Sequence, residues 1–103
     1  RRIVRGNLSV LDRWVAGEKH VCYTKPQAGT TALVYYDFDI PSYEFCERMY
    51  HETGAFVTPG GCFEEEYSMR IGYGNDPEIL KDGLRAVSQF IRILESEAVI
   101  QLR

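Results

Sequence analysis

The sequence predicts an α+β fold in which helices cover a small mixed β-sheet. Apolar residues recur at helical intervals near the beginning and near the end of the chain. Between them, positions 30–38 form a continuous stretch rich in β-branched and aromatic residues. With 103 residues the chain can bury one hydrophobic core, so a single domain is expected.

The first predicted helix covers positions 1–18. One face of it collects apolar side chains at intervals of three and four: Val4, Leu8, Leu11 and Val15. Arginines at its start carry the wrong sign of charge for a helix N-terminus, because the helix dipole disfavours cations there. We therefore expect the tail of a longer helix, and a chain that is a fragment of a longer protein.

The middle of the chain predicts two strands and a helix. A short strand is expected at 21–24, followed by the stretch 30–38 as the central strand, buried on both faces. The next helix is expected to begin at Pro41 with Ser42 as its N-cap and to end at Gly54, a residue suited to the left-handed conformation there.

Two more strands and a long helix are predicted after Gly54. The strands cover 55–58 and 68–73, and the second alternates between apolar and small or polar residues. Asp76 is expected to cap the last helix, with Pro77 at its first position, where proline is tolerated. This helix should run to about residue 96, and positions 98–103 are expected to be a frayed end or a short extension.

Composition excludes several classes of partner. Twelve Lys and Arg residues against fifteen Asp and Glu residues give a net charge of −3, which does not favour binding to nucleic acid. The longest apolar run, 32–36, is far shorter than the roughly 20 residues that cross a bilayer, so no membrane partner is expected. Cys22, Cys46 and Cys62 are odd in number and widely spaced, which favours reduced thiols in the cytoplasm.

Arg70 is the first candidate for function. It lies within a predicted strand between Met69 and Ile71, where a buried guanidinium would need an anion as partner. Its planar fork can bind a carboxylate through two parallel hydrogen bonds, and Gly72 leaves room for a small ligand. The residues alone leave open a salt bridge to the acidic run 64–66, or simple exposure to solvent.

Other polar residues are weaker candidates. Gly29, Thr30 and Thr31 place a hinge and two hydroxyls where the central strand begins, although threonine is also an ordinary strand residue. The lysines are expected to be exposed and not catalytic. The histidines and cysteines lack the spacing of metal ligands or of an activated nucleophile, so neither a metal site nor a catalytic residue is predicted.

Four strings follow one another along the chain: Asn7-x-x-x-Leu11-Asp12-x-Trp14-Val15, Lys25-Pro26-Gln27-Ala28-Gly29-Thr30-Thr31-Ala32, Thr58-Pro59-Gly60-Gly61-Cys62-Phe63 and Met69-Arg70-Ile71-Gly72-Tyr73. Together they resemble the carboxy-terminal small domain of class I/II pyridoxal-phosphate-dependent aminotransferases, the aspartate aminotransferase superfamily of fold type I. The resemblance runs from about Ile3 to Glu95. One string departs from the family, whose turn usually reads P-G-x-x-F-G, because Glu64 follows Phe63 here.

The resemblance implies roles for particular residues. Arg70 would bind the α-carboxylate of an amino acid substrate, Thr30 and Thr31 would approach the substrate side chain, and Gly29 would belong to the same substrate-binding site. Positions 1–18 would be the end of an interdomain helix and 21–96 the sheet and helices of the small domain. The side chain of the preferred substrate stays open, because threonine stands where the family often has an aromatic residue.

The resemblance also implies partners that lie elsewhere. Pyridoxal 5'-phosphate and the lysine that holds it would belong to a large domain of the same protein, so this chain alone is expected to be inactive. The whole enzyme would transfer an amino group between an amino acid and a 2-oxo acid, as a homodimer, or would be a related lyase, decarboxylase or synthase. The alternative is a non-catalytic α+β domain that binds an amino acid for regulation or interaction.

Overall fold

A computed structural model describes residues 2–97 and 102–103. Within this part of the chain the elements follow the predicted order of helices and strands. They are α1 Arg2–Gly17, β1 Val21–Cys22, β2 Thr31–Tyr36, α2 Ser42–Thr53, β3 Thr58–Pro59, a short 3-10 helix Gly60–Phe63, β4 Ser68–Gly72 and α3 Pro77–Glu95. The prediction for 98–103 lies outside the described residues at positions 98–101; beyond them, Leu102 forms a β-bridge with Phe38. None of the described helices is both long and apolar enough to cross a membrane.

The α+β class is confirmed, whereas the sheet is antiparallel rather than mixed within the described residues. Its strands lie in the order β1-β2-β4-β3, and each neighbouring pair is antiparallel. β2 and β3 run in the same direction and are joined through α2, as in a parallel crossover. β2 and β3 are not adjacent in the sheet, because β4 lies between them and pairs with both. In this register Leu33 and Thr58 both lie opposite Arg70.

The helices cover one face of the sheet. Along β2 the side chains alternate: Ala32, Val34 and Tyr36 are buried, while Leu33 and Tyr35 are only half-buried. The inner face packs with side chains from all three described helices in one core, which includes Leu11, Val15, Phe45, Met49, Leu84, Val87, Phe90, Ile91 and Leu94. The prediction that the central strand is buried on both faces is therefore wrong, because no described helix packs on the outer face.

Polar contacts fix α1 to the rest of the domain. Asn7 is buried, and its Nδ2 donates hydrogen bonds to the carbonyl oxygens of Tyr73, at 3.1 Å, and Asn75, at 2.6 Å. Trp14 Nε1 donates to Ser88 Oγ on α3 at 2.8 Å. Because an unpaired buried amide would be costly, these bonds set the position of α1 as well as stabilise it.

The N-terminus of α2 is held by a residue distant in sequence. Pro41 occupies the N-cap position without a side-chain hydrogen bond, and Ser42 is the first helical residue, so the predicted Ser42 cap is wrong. The Ser42 amide donates to Glu66 Oε1 at 2.9 Å, and its hydroxyl donates to Glu66 Oε2 at 3.2 Å. Proline has no side-chain acceptor, so the carboxylate of Glu66 supplies the acceptor that a cap residue normally provides.

We predict that Glu66→Gln makes the stability of the domain less sensitive to acid. The hydrogen bond from the Ser42 amide lowers the pKa of Glu66 below its ordinary 4.5. A carboxyl whose pKa is depressed in the folded state stabilises the fold above its unfolded pKa, and this stability is lost as the pH falls through the folded pKa. Thermal unfolding should show a lower midpoint for the variant at pH 7 and a smaller difference at pH 3.

Glu64→Gln is the matched control for this prediction, since Glu64 belongs to the same acidic run and lies exposed. It should leave the midpoint close to that of the unaltered chain at both pH values. Equal effects of the two substitutions would contradict the role of Glu66.

The turn between β3 and β4 is packed too tightly for a side chain at its first residue. Gly60 is buried, and a methyl group there would overlap Ser68 Oγ and the carbonyl oxygen of Glu65. Gly83, within α3, has no atom near the position that a methyl group would take. Substitution of the two glycines by alanine should therefore change the free energy of unfolding in opposite directions.

We predict that Gly60→Ala lowers the free energy of unfolding by about 1–3 kcal/mol, because the turn must shift to accept the methyl group. Gly83→Ala should raise it by about 0.5–1 kcal/mol, because alanine loses less backbone entropy in a helix. Urea unfolding of both variants measures the two changes. A neutral Gly60→Ala would show that the turn is looser than its contacts indicate.

Candidate functional site

Arg70 lies on the outer face of the sheet, at the centre of β4. Leu33 on β2 and Thr58 on β3 lie directly opposite it in the register, so its side chain projects between them from the open face. The residue is exposed, whereas its neighbours Met69 and Ile71 are buried on the inner face. Exposure to solvent, one of the alternatives that the sequence left open, is therefore what the structure has, because the outer face carries no described helix.

The acidic run before β4 does not neutralise Arg70. Among the described residues no Asp or Glu lies within ion-pair distance of its guanidinium, so the alternative of a salt bridge to 64–66 is not observed. Glu65 instead accepts a hydrogen bond from the Tyr35 hydroxyl at 2.6 Å, and Glu66 is bound to Ser42. The positive charge of Arg70 is thus left available to an external anion.

An aromatic ring lies against the guanidinium. The central carbon of the Arg70 guanidinium lies over the Phe63 ring, 4.5 Å from its centroid. This distance is within the range of a cation–π contact. Phe63 belongs to the short 3-10 helix, and its ring is 40% exposed.

Two cavities border Arg70, one on each side. The first, of about 490 Å³, lies between β4, the segment 54–57 and α3, and we call it the α3-side cavity. The second, of about 520 Å³, is bordered by Phe63 and the outer face of β2, and we call it the Phe63-side cavity. Their volumes suit a small molecule such as an amino acid.

Thr31 is the other predicted residue that the fold brings to this place. It lines both cavities, as Arg70 does, and lies opposite Gly72 on the outer face. Gly29 and Thr30 lie just before β2 and line neither cavity. Gly29 adopts a left-handed φ of 89°, and the Thr30 carbonyl oxygen accepts a hydrogen bond from the Tyr73 amide at 2.7 Å.

Sequence reasoning indicated that the turn from Thr58 to Phe63 could border a pocket, but it did not predict which residues lie beside Arg70. Phe63, Leu33 and Thr58 become its neighbours through strand register and through the turn, neither of which can be read along the chain. A signal did exist for Glu66: a helix that begins after proline has no local acceptor for its first amides. Water or an acceptor from elsewhere in the chain must fill that role, and here the Glu66 carboxylate does so.

The remaining chemical groups lie apart from Arg70. Burial raises the pKa of Cys46 to about 12, and the Cys62 thiol lies 3.1 Å from the Tyr43 hydroxyl. His20 lies between Asp37 and Glu95. Within residues 2–97 and 102–103, no three His, Cys, Asp or Glu side chains are grouped so that they could hold a metal ion. The absence of metal binding stays a prediction.

The chain was compared with known proteins. No protein-family model matches it. It is 31% identical over 80 residues to capreomycidine synthase of Streptomyces vinaceus, an alignment that covers 78% of this chain and 21% of that protein. The fold is similar to that of a PLP-dependent aminotransferase from Streptococcus suis 89-1591, with a TM-score of 0.88, 34% identity, and coverage of 93% of this chain and 26% of the other.

A second similar structure is the PLP-dependent cyclase OrfR, with a TM-score of 0.81 and 26% identity, covering 89% of this chain and 26% of that one. The chain thus spans about a quarter of the length of the solved structures it matches. The resemblance to fold type I PLP-dependent aminotransferases is confirmed.

Neither cavity beside Arg70 is lined by a lysine. Lys25 and Lys81 are exposed and lie 3.7 Å from carboxylates of Asp12 and Glu78. That a cofactor is bound mainly outside this chain stays a prediction.

Proposed function

We propose that this chain, a structural relative of the fold type I PLP-dependent aminotransferases, is the substrate-clamping small domain of such an enzyme. In this proposal Arg70 binds the α-carboxylate of an amino acid substrate. The observation that carries it is the position of Arg70: an exposed guanidinium without a carboxylate partner among the described residues, bordered by two cavities of small-molecule size.

The chemistry of the guanidinium fits a carboxylate. Its planar fork donates two parallel hydrogen bonds to the two oxygens, which fixes both the position and the orientation of the bound group. Arg70 stands on a strand between two other strands, so its backbone is held on both sides. A rigidly held carboxylate limits the ways in which the rest of the substrate can lie, and this is how the residue would serve the reaction.

Thr31 is proposed as a specificity residue. Its side chain lines the same two cavities as Arg70, so it is placed to contact the part of the substrate that extends from the carboxylate. Gly29 and Thr30 are proposed to act from the rim of this region, through the turn that leads into β2. The substrate side chain is not specified by these residues.

The whole protein is proposed to use pyridoxal 5'-phosphate. That cofactor would supply the bond-making chemistry at the amino group, while this domain binds and orients the substrate. We propose that the cofactor site and the catalytic residues lie in a large domain of the same protein, which acts in the cytoplasm as a homodimer. On this proposal the domain alone is inactive.

A second candidate is a PLP-dependent cyclase or synthase. The observation that favours it is that two of the similar proteins are described as a synthase and a cyclase. Arg70 would hold a carboxylate in either case. An aminotransferase needs a 2-oxo acid to accept the amino group in each cycle, so turnover of amino acids with and without added 2-oxo acid distinguishes the two.

We predict that Arg70→Ala in the full-length enzyme lowers kcat/KM for its amino acid substrate at least tenfold to a hundredfold. A hydrogen bond to a charged group contributes about 1.5–3 kcal/mol, which converts to this factor. Arg70→Lys should recover little, because an ammonium cannot reproduce the two parallel hydrogen bonds. Steady-state kinetics of the purified enzyme measures both.

Arg85→Ala is the matched control, since Arg85 is an exposed arginine on α3 that pairs with Asp82. It should retain the kinetics of the unaltered enzyme. Full kcat/KM in both Arg70 variants would exclude Arg70 from substrate binding and leave the non-catalytic interaction domain as the better reading.

A further inference from the structure

The contact between Phe63 and Arg70 has a specific geometry. The guanidinium carbon lies over the aromatic ring at 4.5 Å from the centroid, so the cation meets the face of the ring and not its edge. The hydrogen-bond donors of a guanidinium lie in its own plane and point outward along its edges. A phenyl ring offers no acceptor oxygen or nitrogen, so Phe63 can contact the cation without taking up those donors in conventional hydrogen bonds.

We propose that Phe63 is a positioning residue that presents the fork of Arg70 to the substrate carboxylate. This inference rests on the proposed role of Arg70. An exposed arginine on an open sheet face would otherwise sample many rotamers, and fixing such a side chain on binding costs free energy. The ring lowers that cost because it favours one orientation before the substrate arrives.

Phe63 is itself held in place by its backbone. The short 3-10 helix begins at the buried Gly60, where neighbouring atoms leave no room for a side chain, and it is capped by Glu64 in a left-handed conformation. The amides of Glu64 and Glu65 donate to the carbonyl oxygens of Gly61 and Gly60 at 3.2 and 2.9 Å. The ring is thus carried by a turn that has little freedom of its own.

The same turn is fixed to α2. The Gly61 amide donates to Ser42 Oγ at 2.9 Å, and Ser42 is bound in turn to Glu66. Hydrogen bonds therefore run from the N-terminus of α2 to both ends of the segment that carries Phe63. This arrangement keeps the ring over the position that Arg70 reaches from β4.

A role in the hydrophobic core does not explain Phe63. The ring is 40% exposed and does not belong to the core cluster among the described residues. Tyr50 is similarly exposed, at 52%, and lies on α2, where it lines neither of the cavities that border Arg70. The two aromatic residues thus differ in their relation to Arg70, which makes Tyr50 a suitable control.

The test is a double-mutant cycle in the full-length enzyme. Phe63→Leu should lower kcat/KM for the amino acid about two- to thirtyfold, the range of a cation–π contact. Phe63→Tyr, which keeps the aromatic face, should restore most of it, and Tyr50→Leu should have no effect. In an Arg70→Ala background, Phe63→Leu should cause no further loss, because the residue acts through Arg70.

The outcomes separate the two proposals. If Arg70→Ala lowers kcat/KM but Phe63→Leu does not, the positioning role of Phe63 is overturned and the carboxylate clamp stands. An equal loss from Phe63→Leu with and without Arg70 also overturns it, since that result indicates a general structural role. If Arg70→Ala has no effect, the proposed function itself fails.

A second measurement does not depend on catalysis. In the folded 103-residue chain, the face of the Phe63 ring should shift the NMR signal of the Arg70 Nε–H upfield through its ring current. Phe63→Leu should return that signal toward the position of an ordinary exposed arginine, and Tyr50→Leu should not move it. An unchanged signal in Phe63→Leu would mean that the two side chains are not stacked in solution.

Discussion

Burial of one sheet face, with the other left open, is the constraint on which the rest of this structure depends. Apolar side chains from three described helices pack against the inner residues of β2 and β4. Since strand side chains alternate between faces, every second residue is then fixed on the outer side. Arg70, Thr31 and Leu33 share that outer side because Ile71, Ala32 and Val34 occupy the core.

Polar contacts between distant segments help to determine the position of the turn that carries Phe63 on the outer face. Hydrophobic burial alone would tolerate small shifts of the turn before β4, because the effect has no direction. Hydrogen bonds from Ser42 to Glu66 and from Gly61 to Ser42 do have direction and length. The N-terminus of α2 therefore helps to set the position of the aromatic ring beside Arg70.

Local signals were sufficient for much of the fold. Asp76 and Pro77 correctly predicted the start of α3. Gly54 caps the C-terminus of α2 in the left-handed conformation that was expected for a glycine at that position. What failed depended on tertiary context: the cap of α2 comes from Glu66, and the second face of β2 lacks a covering helix. The proline before α2 indicates that an acceptor is missing, but the identity of that acceptor and the open face of β2 both depend on which segments meet, and no pattern along the chain shows this.

The candidate site likewise combines features that local sequence signals predict with features that depend on tertiary contacts. Alternation along β4 placed Arg70 opposite the core, and the resemblance gave it a role, but the stack on Phe63 required the register and the turn. Thr31 reached the same face through its pairing with Gly72. Gly29 and Thr30 fall in irregular backbone, where no periodicity indicates the direction of a side chain.

The central place of β4 has a consequence for how the chain acquires its shape. β2 and β3 precede β4 in the sequence, yet both form their antiparallel ladders with it. During synthesis at the ribosome their facing edges stay unsatisfied until the last strand emerges, so the sheet closes late. Arg70 lies on β4, the strand that completes the sheet. The neighbours of its guanidinium on β2 and β3 are therefore brought together only when the sheet closes.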